Sequence, residues 1–276
     1  MIVQTAAPGH PHFVIEQPDH AATCGQFAAA FGNDAFAPPV PRELVLFTVT
    51  HHDEGWVPVD ALAEASPTTG LPHHLTQTPL PYLLRTGKGS PDFNEAHHPF
   101  CGLLSSMHTV GLFNGRYGLS DFIFIDRVPA EYKPAADALL AAEMARQERL
   151  KAVLRTDANT APWVEDEALF ANYKRLQFFD TLGLYFQLTH AEARREARFL
   201  HVPDGRGTDH TITITPRPDG TYALSPWCFA GDSLEVFTLG RYLSPQPGLA
   251  DFRAIFAVTP KEPQYYRLVP GPEVRP

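Results

Sequence analysis

The chain lacks most of the features that mark a common function at first reading. Only three cysteines, Cys24, Cys101 and Cys228, occur in 276 residues. They are far apart, odd in number and form no CxxC pair, which argues against a disulfide framework or a zinc–thiolate site and fits a reducing cytoplasm. No apolar run approaches the ~18 residues of a membrane span. Residues 1–12 hold neither a basic segment nor a long apolar one, so no leader or anchor is expected there. Positive charge is also short: the formal net charge is -9 and no basic stripe stands out. Nucleic-acid binding needs Lys and Arg clustered on one face and is not expected as the main role. There is no GxGxxG, P-loop, GxSxG or HExxH, which removes the usual support for Gly-loop nucleotide binding and serine hydrolase chemistry.

Hydrophobic residues make up 44% and charged residues 19%, a globular composition. The length suits one large domain or a domain with a substantial appendage. Twenty-seven prolines cut the chain into short units. Residues 12–16 read as a short strand, 18–31 as a helix closed by Gly32-Asn33, and 42–53 as a second helix ending at Gly55. In that second helix Thr48-Val49-Thr50 makes a strand a competitor. Residues 56–81 read as irregular and 82–93 as ambiguous. A helix fits 99–113, with proline in its first turn. A long amphipathic helix fits 130–155, and a last one runs from Pro162 to about His190. After Phe199 strands are predicted at 211–215, 221–224, 234–238 and 252–259, with a hairpin at Asp219-Gly220. The expected fold is therefore mainly α: a helical body over 1–198 with a β-rich C-terminal appendage over 199–276.

The informative feature is where polar residues fall in the helical patterns. His20 shares a stripe with Cys24, Phe27 and Phe31. His52 follows Val45 and Val49, and His108 follows Phe100 and Leu104. Asp180 follows Leu169, Tyr173 and Leu176. Residues three and four apart share a helix face, so four elements aim an ionisable group inward. A buried carboxylate costs several kcal/mol unless it is paired or binds a cation. One such histidine is an ordinary core residue; four such residues plus Asp53 point to a metal site. Imidazole with carboxylate suits iron, manganese or zinc.

The pattern His20…His52-Asp53…Asp180 resembles the H…HD…D signature of HD-domain metal-dependent phosphohydrolases. Gln17-Pro18-Asp19-His20, His52-Asp53-Glu54-Gly55-Trp56, Leu103-Leu104-Ser105-Ser106-Met107-His108 and Ser225-Pro226-Trp227-Cys228-Phe229 are similar to a bacterial domain-of-unknown-function branch of that superfamily. The resemblance implies an HD-like helical fold, one or possibly two divalent cations held by His20, His52, Asp53 and Asp180, and hydrolysis of a small phosphorylated substrate. Two-metal sites of this kind add two histidines between the HD pair and the last Asp, for which His98 and His108 are the candidates. On one helix ten residues separate these two by about 15 Å, whereas paired metals lie about 3.5–4 Å apart. His108 is retained and His98 set aside.

Around these ligands, Asp19 and Glu54 are candidates to orient imidazoles. Arg116, in the turn Asn114-Gly115-Arg116-Tyr117-Gly118, and Lys174 and Gln177, within two turns of Asp180, are candidates to meet substrate. The expected catalytic set is His108, Arg116 and Lys174. His51 and His97 are read as solvent or loop residues; His73 and His74 lie in the Pro-rich segment, where a pocket-rim role is left open. Two rivals remain open: an oxygenase with two irons, which needs His98 as a further ligand, and a non-catalytic protein whose polar core binds a metal or ligand. The expected partner is a small molecule, with no nucleic acid and no membrane; the oligomeric state is not legible.

Overall fold

The computed structural model describes residues 1–246 and 252–272. Its elements in chain order are β1 (Ile2–Val3), β2 (His12–Ile15), α1 (Gln17–Ala30), α2 (Arg42–Thr50), α3 (Val57–Asp60), α4 (Leu80–His97), α5 (Pro99–Phe113), α6 (Gly115–Gly118), α7 (Lys133–Arg155), α8 (Asp166–Leu188), β3 (Ala197–Pro203), β4 (Asp209–Pro216), β5 (Tyr222–Ser225), β6 (Leu234–Leu243), α9 (Phe252–Val258) and β7 (Glu262–Pro270). Proline sits in the first turn of α1, α4, α5 and α7, where its missing N–H costs nothing.

Local chemistry settles the ambiguous segments. The β-branched run in α2 is helical; Thr48 and Thr50 are accommodated there by donating their hydroxyls to the carbonyls of Leu44 and Leu46, one turn back. Residues 82–93 lie inside α4, which carries Pro91 within it. Gly55 crosses α4 at close range: a Cβ there would come 2.4 Å from the Thr86 carbonyl oxygen. Its amide donates to Ser90 Oγ at 3.0 Å.

The expected mainly-α fold with a β appendage is incorrect. The strands make one seven-stranded mixed sheet in the order β1-β2-β6-β7-β5-β4-β3, curled into a half-barrel. β5 and β7 run parallel and every other neighbour antiparallel. The N-terminal strands belong to it, with Val14 of β2 opposite Arg241 of β6. Alternation of side chains reveals a strand but not its partner, and β2 and β6 stand at opposite ends of the sequence. The segment 252–259, expected as a strand, contains helix α9, with Phe252 and Phe256 buried one turn apart.

The core is not all-α either. One apolar cluster joins Phe27 of α1 and Phe179 of α8 to Ile212, Leu224, Val236 and Leu268 of the sheet. Phe186 of α8 stacks on Tyr266 of β7 at 4.4 Å between ring centroids. β3 begins at Ala197, beside the expected boundary. Of the expected C-terminal part, residues 247–251 and 273–276 lie outside the described residues. Among the described residues no helix is long and apolar enough to cross a membrane.

Candidate metal centre

α2 ends at Thr50, three residues before the helix expected from the sequence, and this early stop places the His-Asp pair. On a helix, neighbours face about 100° apart. His51 (φ -123°, ψ 19°) and Asp53 (φ -110°, ψ 19°) leave the helical region, and the resulting turn brings His52 and Asp53 to the same side. α1 contributes His20, α5 contributes His108 and α8 contributes Asp180. All three, with His52, are at most 5% exposed.

The five residues converge. His20 Nε2 lies 3.2 Å from Asp180 Oδ1 and 3.9 Å from Asp53 Oδ2. His52 Nε2 lies 3.5 Å from the same Asp53 oxygen. The His52 ring stands 5.3 Å from that of His20 and 5.1 Å from that of His108. Ligands about 2.0–2.2 Å from a tetrahedral cation stand about 3.3–3.6 Å apart; the His20–Asp180 and His52–Asp53 spacings are close to this, and among the described residues the sets whose ligand atoms all lie within 4.8 Å of one another are His52–Asp53–His108 and His20–Cys24–His52.

Proton positions test whether these residues fit a cation. His52 Nδ1 donates to the Val49 carbonyl at 2.7 Å, so in the neutral ring Nε2 carries only a lone pair. That atom is buried, has no hydrogen-bond partner and faces a carboxylate. His20 Nδ1 donates to Gln187 Oε1 at 2.5 Å. The Gln187 amide is oriented by its own Nε2, which donates to Thr238 Oγ1 at 2.9 Å. His20 Nε2 is therefore also the atom turned to the carboxylates. Lone pairs facing carboxylate oxygens repel unless a positive charge lies between them, either a proton or a metal ion. The donor set fits iron, manganese or zinc.

The electrostatics agree. Burial opposes charge on His20, but the adjacent Cys24 and the hydrogen bond and charge of Asp180 raise its pKa well above the ordinary value. Burial pushes Asp180 up, but the His20 hydrogen bond and the nearby histidines hold it below the usual carboxylate range. Without a metal, a proton on His20 supplies the positive charge. Burial and the neighbouring His52 push His108 down to about 4, leaving it neutral near pH 7. Gln177 Nε2 lies 2.7 Å from His108 Nδ1, and in this orientation the His108 proton is on Nε2. An amide turned by half a rotation would accept from Nδ1 and free Nε2 as a lone pair.

The remaining candidates fall elsewhere. Lys174 is bound by Asp209 of β4 at 2.6 Å. Arg116 lies in α6, where residues 115–118 all have positive φ. It lines a cavity of 300 Å³ with Lys174, Gln177 and Arg198, separate from the cavity of 490 Å³ that His52, Asp53 and His108 line. Only its charge reaches His108. Asp19 pairs with Lys261, and Glu54 with the non-ligand His51 at 2.6 Å. The chain does break at His98, but His98 Nδ1 accepts from the Phe100 amide and caps α5. His97 stacks on Phe47 at 3.5 Å, and His74 accepts from the Thr76 amide.

Two features escaped the sequence reading. Gln187 orients His20; it lies seven residues after Asp180 on the same face of α8, a spacing that would have found it. Cys24 Sγ lies 3.8 Å and 3.9 Å from the two ring nitrogens of His20. Being equidistant, it packs against the side of the ring rather than on the Nε2 lone pair.

Fold and site together define a mixed α/β protein with a buried histidine–carboxylate cluster. Residues 1–245 match the family model described as protein of unknown function (DUF3891), and the chain belongs to that family. The match spans every residue of the cluster. No curated protein and no solved structure matches the chain.

Proposed function

We propose that the protein is a metal-dependent hydrolase of a small phosphorylated molecule. The observation that carries the metal reading is His52 Nε2: buried, unpartnered and turned toward the Asp53 carboxylate. His20, His52, Asp53 and Asp180 would hold the cation, with His108 beside them. A divalent cation in such a site acidifies water and polarises a phosphoryl group. Asp53 and Asp180 supply the negative charge that retains it, and Gln187 and the Val49 carbonyl fix the tautomers of His20 and His52. His108, neutral and at the cavity wall, is placed to give or take the proton of a leaving or attacking oxygen. The phosphate preference rests on the resemblance of the His20, His52-Asp53 and Asp180 pattern. The partner on this reading is a small molecule, and three buried free cysteines support a reducing cytoplasm.

The test is metal analysis of anaerobically purified protein, followed by phosphomonoesters and phosphodiesters assayed with iron, manganese and zinc. Stoichiometric metal, lost in His52→Ala and Asp53→Ala with helical content retained, and phosphate release abolished by chelation are expected. Full metal content with no hydrolysis of any ester would overturn the hydrolase. Absence of stoichiometric metal in the wild type would overturn the site itself.

A further inference from the structure

The cavity that reaches His52, Asp53 and His108 has walls that a sugar or nucleotide would not choose. Its volume is 490 Å³, the size of a small-molecule pocket. Beyond His52, Asp53, His108 and Arg127 most of the surface is carbon: Leu80, Leu83, Leu112, Phe113, Phe122 and Phe124 line it. Most hydroxyls in the lining already have a partner, Thr76 and Thr78 at His74, while Ser90 keeps its own proton to give. Thr86 donates to the Leu83 carbonyl, Thr109 donates to the Gly87 carbonyl, and Ser90 accepts from the Gly55 amide. A ligand rich in hydroxyls or ring nitrogens would lose water there and gain few partners. Among the described residues Arg127 is the one Lys or Arg in the lining, and its guanidinium lies over the Phe122 ring at 4.8 Å. A polyphosphate would find no cluster of cations. Leu112 and Phe122 are 44% and 51% exposed, so apolar surface continues to the mouth.

We propose that the substrate has an apolar body, a hydrocarbon chain or aryl group, which lies along this cavity and presents its polar head to His52, Asp53 and His108. This rests on the proposed hydrolase for what happens to the head, but binding of the body is separable from it. Burying one methylene in an apolar site changes affinity about three- to fourfold. A graded dependence on chain length is therefore the signature.

The probes are n-alkylphosphonates of increasing length, which carry the head and have no ester bond to hydrolyse. They are titrated into the full, metal-loaded protein with Trp56, itself in the cavity wall, as the fluorescent reporter. Kd is expected to fall about three- to fourfold per added methylene until the cavity is filled. Leu112→Asp and Phe122→Asp change exposed positions and leave the core in place; each is expected to flatten that dependence, with circular dichroism confirming the fold. A Kd independent of chain length overturns the proposal, even where phosphate release remains metal-dependent, and so does a chain-length dependence that both variants retain. Dependence abolished by the variants, with no ester hydrolysed, sustains the apolar site and sinks the hydrolase instead.

Discussion

Gln187 donates its Nε2 to Thr238 Oγ1 at 2.9 Å, tying α8 to β6 directly behind His20. The bond forces Gln187 Oε1 toward His20 Nδ1 and so decides which His20 nitrogen faces the carboxylates. The sheet is thus part of the support of the site. Metal ligands whose outer hydrogen-bond partner is removed typically lose 10–100-fold in affinity. Gln187→Leu is expected to weaken metal binding by about that factor, and Thr238→Val by less in the same direction. Calorimetric metal titration of the folded variants measures both. Unchanged affinity in Gln187→Leu would show that His20 is held by something else.

His98→Ala is expected to keep the full metal content. His98 caps α5 through the Phe100 amide, so its loss should appear as a stability decrease of about 0.5–2 kcal/mol. Denaturant unfolding and metal analysis of one preparation separate the two roles. Loss of metal in this variant would revive the reading with two irons.

The helices, and the inward aim of His20, His108 and Asp180, were legible because helical periodicity is a local signal; His52 is buried too, but a turn after α2 places it. What was not legible depends on tertiary partners. Nothing in the sequence near His12 to Ile15 says that this strand pairs with β6, so the sheet looked like an appendage. Lys174, close to Asp180 in sequence, was read as a substrate contact, yet Asp209 lies beside it in space. How His52 and Asp53 come to lie side by side was hidden from the sequence. A continued helix would have splayed the two side chains, and the turn that unites them lies where Gly55 meets the α4 backbone.

Glu16, at the start of α1, accepts from Arg241 of β6 and pairs with Lys261 of the segment before β7, at 2.7 Å and 2.8 Å. Burial raises its pKa, but the two cations outweigh it and lower the value. A depressed carboxylate contributes stability above its unfolded pKa and loses it as pH falls through the folded one. Glu16→Gln is therefore expected to lower Tm at pH 7, by about 1 kcal/mol in stability. The gap from wild type should close as pH falls below the ordinary glutamate range. Asp19, which shares Lys261, is pushed upward by burial and shifts oppositely. Thermal melts between pH 3 and 7, values chosen to bracket glutamate titration at about 4.3, test this. A gap that persists at the acid end would show that packing, not charge, sets the contribution.

Asp180 is farthest in sequence from the His-Asp pair and gives the most discriminating substitutions. Its carboxylate faces His20 Nε2 at 3.2 Å and is buried. Asp180→Asn keeps shape and removes charge. An amide is a poorer, uncharged donor, so metal content is expected to fall markedly. The metal-free protein should also lose about 1.5–3 kcal/mol, the range for a hydrogen bond to a charged group. Asp180→Leu should do worse for metal. Its metal-free form is expected to match or exceed Asp180→Asn in stability, because an apolar side chain of similar size suits a buried position once His20 gives up its proton. Bound metal and Tm measured on both variants distinguish a ligand from a structural acceptor. A ligand shows metal loss in both and a stability order of Leu at or above Asn. A structural acceptor shows full metal content in Asp180→Asn with Tm alone reduced, and that result would remove Asp180 from the centre.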